Sequence, residues 1–140
     1  MTVGSQMIRA QQNDPTLDEI SALAERAWTA LPSNYRSLCA DLIIRVEELP
    51  PAYVLRDLGI EDPLELLGLY SGIGLPEKSV DDSGALPDMV FLYRAPIIHF
   101  WRSSDIPLFL IVRHVLVHEI GHHFGLSDED MEAIDTAEEP

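Results

Sequence analysis

His118-Glu119-Ile120-Gly121-His122-His123-Phe124-Gly125-Leu126-Ser127-Asp128 is the stretch on which the reading of this chain turns. It continues Leu108 to Val117, a run that is apolar around most of a helical circumference, and such a helix is buried rather than laid on a surface. On an α-helix, His118 and His122 lie about one turn apart and about 40° around the axis, where both imidazoles can ligate one metal ion. Glu119 sits about 100° from His118, at the side of that face. It is poorly placed as a ligand alongside both histidines. It is well placed to act as general base on a water beside the metal. Gly125 can turn the chain sharply, and Asp128 is then carried back towards the histidines as third ligand. Three protein ligands leave one zinc position open, as catalytic sites do, whereas a structural site is closed by four. Two histidines and one carboxylate also suit iron.

Buried context supports the metal. A Glu and two His in the middle of an apolar helix cost several kcal/mol (roughly, per unpaired group) unless partners resolve them. The helix is framed by Asp105, which can cap it, by Pro107 in the first turn, where a missing N–H is harmless, and by Gly125. Upstream, Leu42 to Glu47, Leu66 to Ser71 and Met89 to Arg94 read as strands. A turn-rich loop with Gly72, Gly74, Pro76, Gly84 and Pro87 separates the last two. Ile20, Leu23, Ala24, Ala27 and Leu31 recur at helical spacing after Pro15, with Asp14 or Thr16 as cap. A short turn follows at Tyr35 to Cys39, and Ala52 to Leu58 forms a helix that stops at Gly59. Pro96 to Trp101 is apolar without a spacing signal. The expected fold class is α+β, a small mixed sheet packed against a buried zinc-binding helix.

Residues 1–14 read as a flexible arm and 15–140 as a single domain ending in an acidic tail. Seven acids and no base fall within the last fourteen residues, where Met131 and Ile134 mark a short amphipathic helix. The whole chain of 140 residues has 9 Lys and Arg against 24 Asp and Glu, a net charge of −15, which disfavours nucleic acids and anionic membranes. Hydrophobic residues make up 46%, too many for a disordered chain. Cys39 is the single cysteine and forms no internal disulfide. With no secretory pattern at Met1 to Asp14 and no apolar run long enough to span a bilayer, the expected location is cytoplasmic.

The string His-Glu-x-x-His-x-x-Gly-x-x-Asp resembles the zincin metallopeptidases, and its glycine turn resembles the metzincin branch, with Asp128 in place of the usual third histidine. Met131 is too close to Asp128 to serve as that branch's methionine turn. More specifically, the chain is similar to small bacterial minimal-zincin metallopeptidases. The similarity runs through Leu67-Gly68-Leu69-Tyr70-Ser71-Gly72, Phe91-Leu92-Tyr93-Arg94-Ala95-Pro96-Ile97 and Val117 to Gly125 with Asp128. It implies a minimal zincin-like fold, one Zn2+ per chain on His118, His122 and Asp128, Glu119 as catalytic base, and a peptide or protein substrate.

Other residues have weaker claims. Met89 to Arg94 is the strand nearest the helix in sequence and the expected edge for an extended peptide. Tyr93, Arg94 and Tyr70 can each donate to an oxyanion, although packing or an ion pair is the commoner use of each. His123 suits packing better than ligation. His114, one turn before His118, can support that ligand or sit as a satisfied core histidine. His99 carries no signal. A rival reading is a metal-stabilised protein-binding module without hydrolysis, against which Glu119 stands. Another replaces Asp128 by Glu138 or Glu139.

Overall fold

In the computed structural model, which describes residues 14–39, 41–71 and 88–136, a capping box opens the first helix, α1 (Leu17–Ala30). The Glu19 N–H donates to Thr16 Oγ1 at 3.1 Å, and the Thr16 N–H to Glu19 Oε1 at 2.9 Å. Thr16 is therefore the cap, while Asp14 receives Arg102 at 2.6 Å instead. Of the expected N-terminal arm, residues 1–13 lie outside the described residues, as do the turn-rich loop 72–87 and residues 137–140 with Glu138 and Glu139.

A short helix α2 (Ser33–Arg36) and a 3-10 turn (Ser37–Cys39) lead to strand β1 (Ile43–Glu47). Helix α3 (Ala52–Leu58) ends at Gly59, whose φ of +69° is the left-handed conformation that glycine adopts at little cost. Strands β2 (Gly68–Ser71) and β3 (Met89–Tyr93) complete a mixed sheet in the order β1-β3-β2, with β3 parallel to β1 and antiparallel to β2. This is the expected α+β class, and the three strands fall where the β-branched runs place them. The Met89–Tyr93 strand, however, is central and hydrogen-bonded on both sides, so it has no free edge for a peptide. The edge on the helix side belongs to β2.

Directly after β3, helix α4 (Arg94–Arg102) forms in a segment whose sequence gives no helical spacing. Pro96 occupies its first turn, where the absent N–H costs nothing, and Ile97 and Ile98 enter the core. Helix α5 (Leu108–His123) is the long apolar one. Its N-cap is Pro107 with no side-chain bond, so Asp105 does not cap it. Helix α6 (Asp128–Asp135) is capped by Ser127, whose Oγ accepts from the Asp130 N–H at 3.1 Å.

α5 lies against β2 and β3, with α1 packed across it and onto β1, and with α6 packed alongside it. Ile20 of α1, Val90 and Leu92 of β3, Leu116 and Ile120 of α5 and Met131 of α6 are wholly buried. Each such apolar side chain contributes about 1.5–3 kcal/mol. The Tyr35 hydroxyl adds a polar tie by donating to the Val117 carbonyl at 2.5 Å. The helix that carries the histidines is thus held from three sides, with its histidine stripe left at the surface.

Candidate metal centre

Because α5 is regular, its histidines fall one turn apart along a single stripe. His114 and His118 have ring centroids 3.9 Å apart, and His118 and His122 5.7 Å apart with rings nearly perpendicular. His118 is half-buried and His122 exposed. Burial, and then the neighbouring His114 ring, hold the His118 imidazole below its ordinary value. At neutral pH it is the neutral form, which is the form that binds metal.

Glu119 leaves this stripe, as its spacing requires, and turns towards the sheet. The Tyr70 backbone on β2 faces its carboxyl and favours the ionised form. Burial is nonetheless the larger influence and pushes the carboxyl above the usual carboxylate range. The approach of β2 depends on Gly68. A β-carbon there would sit 2.5 Å from Val115 Cγ1 and 3.1 Å from the Phe91 carbonyl oxygen. Gly68→Ala is therefore expected to lose about 1–3 kcal/mol through overpacking. A lower urea midpoint with an unchanged m-value would show it.

Downstream, Gly125 takes φ +72° and turns the chain, and the Leu126 N–H donates to the Gly121 carbonyl at 2.9 Å. Asp128 then opens α6. It is exposed and close enough to His118 for its charge to favour the imidazolium. Asp135, two turns further on, reaches back to α5. Its Oδ2 lies 2.7 Å from His114 Nδ1, and its Oδ1 accepts from Arg113 Nε at 3.3 Å. Among the described residues, the metal-ligating atoms drawn closest together are those of His114, His118 and Asp135, all within 4.8 Å of one another. His118, His122 and Asp128 share one rim of the molecule without converging to that degree.

The remaining candidates separate cleanly. Tyr93 is buried in the core at 1% exposure and cannot donate to a substrate oxyanion. Arg94 is occupied by Glu48 at 3.0 Å and by the Pro15 carbonyl at 2.6 Å. Tyr70 alone of the three lies at the site, where its ring stacks on His123 at 3.9 Å. His123 therefore packs rather than ligates. His99 is exposed on α4, and His114 is an exposed, carboxylate-bonded residue rather than a core one. Sequence reasoning missed Asp135, counting it only as one acid in a run. The available signal was its spacing from Asp128, since seven residues are two helical turns and share a face.

The donor chemistry fits zinc. Two imidazoles one turn apart, one of them kept neutral by its surroundings, lie beside a carboxylate on the next helix and a further carboxylate off the histidine stripe. The chain belongs to the zincin-like metallopeptidase family, whose family model matches residues 39–137. No curated protein sequence matches it. No described helix is long and apolar enough to cross a membrane.

Proposed function

We propose that this protein is a zinc-dependent peptidase in which His118, His122 and Asp128 hold the metal and Glu119 is the general base. The observation that carries the reading is the position of Glu119: beside the two histidines, off their stripe, half-buried, and facing the Tyr70 backbone of β2. A site that only braced the fold would gain nothing from a half-buried carboxylate next to its ligands.

Zinc, when bound, supplies the Lewis acidity that polarises the scissile carbonyl and acidifies the attacking water. Glu119 takes the proton from that water and delivers it to the departing amine, so one carboxylate serves as base and then as acid. Its raised proton affinity brings it nearer to neutral pH, where such transfer is most effective.

The substrate lies extended along β2. The Tyr93 N–H donates to the Leu67 carbonyl, so alternation in an antiparallel pair turns the backbone groups of Gly68 and Tyr70 outward, away from β3. A peptide added there runs past Glu119 and pairs with the outward main-chain groups of β2 other than the Tyr70 N–H, which faces Glu119. An apolar cavity of about 470 Å³ opens beside His114, lined by Leu67, Phe100, Ile106, Leu110, Ile111 and Val115. It accepts a large apolar side chain of the peptide. Zinc-loaded protein incubated with a mixed peptide library is expected to cleave next to such residues. His118→Ala is expected to abolish cleavage together with stoichiometric zinc. A wild-type protein that holds one zinc and cleaves nothing in the library would overturn the reading.

A further inference from the structure

We infer that α5 carries a second register for a divalent metal, one helical turn upstream of the first, built by His114, His118 and Asp135. The three donor atoms already lie within 4.8 Å of one another, and the closest contact, His114 Nδ1 to Asp135 Oδ2, is 2.7 Å. Tetrahedral zinc with bonds of about 2.0–2.2 Å needs its donors roughly 3.4 Å apart. Side-chain rotations of about an ångström supply that without moving either helix.

The surroundings are those of a prepared ligand set. Arg113 donates to Asp135 Oδ1 and leaves Oδ2 aimed at His114, in the way that an outer partner orients a ligating carboxylate. The Asp135 side chain is only 16% exposed, whereas that of His114 is 57% exposed, which gives an ion a path in from solvent. Two imidazoles and one carboxylate select borderline ions such as Zn2+, Co2+ and Ni2+ over Ca2+ and Mg2+. The inference meets the functional reading only at His118. One imidazole cannot serve both registers through the same nitrogen, so an ion held upstream withdraws His118 from His122 and Asp128. The helix thus offers the metal two positions, and only the downstream one stands beside Glu119.

Co2+ titration of metal-free protein, followed by visible absorption and calorimetry, tests this. His122 and His114 are both exposed, so their alanine variants are expected to keep the wild-type circular dichroism spectrum. His122→Ala removes the downstream pair yet is expected still to bind one Co2+ per chain with a tetrahedral-type spectrum. Adding His114→Ala, or separately Asp135→Ala, to His122→Ala is expected to weaken that binding at least tenfold. If His122→Ala binds no Co2+, or if His114→Ala changes nothing in that background, His114 and Asp135 form an ordinary ion pair and the inference fails. The peptidase reading fails on a different observation, the absence of cleavage by wild-type protein, which leaves the His122→Ala titration just as decisive.

Discussion

Glu119→Gln is expected to retain one zinc per chain and to lose peptide cleavage by a factor of about 10² to 10⁴, the usual contribution of a positioned general base. The substitution is conservative in shape. The amide oxygen can still face the Tyr70 backbone, so the side chain keeps its place beside β2. What disappears is the ability to take a proton from water and return it to the leaving amine. The loss should therefore fall on kcat with KM little changed, because no group that holds the peptide has been removed.

Stability gives a second readout with a known sign. Burial raises the Glu119 carboxyl in the folded chain, so folding favours the protonated form. A raised acid penalises the folded state above its folded pKa, and the penalty vanishes as pH falls below the ordinary carboxylate range. Above the ordinary carboxylate range the metal-free protein carries this penalty, and glutamine removes it. Metal-free Glu119→Gln should melt at or above the wild-type temperature at pH 7. A variant that is inactive and also less stable would point to damage rather than to a lost base. An unchanged turnover would remove Glu119 from the mechanism altogether.

The parts of this site that follow local spacing were legible in the sequence. The period of α5, the shared stripe of His118 and His122, the departure of Glu119 from it and the turn at Gly125 all depend on residues within a few turns of one another. The strands were legible for a similar reason, as short β-branched runs between breakers. Pairing order was not, because nothing local says that β3 lies between β1 and β2. The edge beside α5 was accordingly assigned to the wrong strand. Helix α4 was hidden by continuity, since only Arg94 separates the apolar run of β3 from Ala95-Pro96-Ile97-Ile98, and short apolar runs do not distinguish strand from helix. Asp135 was hidden by abundance. In a segment with seven acids, only the docking of α6 onto α5 singles out the one that meets His114 and Arg113.

That docking is keyed by Gly121, and Gly121→Ala is expected to lower zinc affinity by about 10- to 100-fold, as the loss of a ligand's supporting contacts does. Gly121 lies inside the motif, one residue before His122, on the face of α5 that meets α6. A β-carbon there would overlap both Sδ and Cγ of Met131. Met131 is completely buried, so it has no solvent into which to swing, and α6 must move instead. Asp128 stands three residues before Met131 and Asp135 four after it, so a shift of α6 displaces both carboxylates from the histidine stripe. Alanine's better helix propensity, worth about 1 kcal/mol over glycine, opposes the overpacking cost of about 1–3 kcal/mol. The net effect on folding is therefore about 0–2 kcal/mol, and the displaced carboxylates add the effect on the metal. Shortening the partner tests the mechanism. Met131→Ala alone opens a cavity at a cost of about 2–5 kcal/mol. In the double variant the methyl introduced by Gly121→Ala enters the space that the Met131 side chain has vacated. Urea unfolding and zinc calorimetry on the wild type, both single variants and the double variant should show coupling of about 1–3 kcal/mol, with the double variant losing less than the sum of the two singles. Strict additivity would mean that Gly121 and Met131 act independently and that the motif's glycine does not place Asp128.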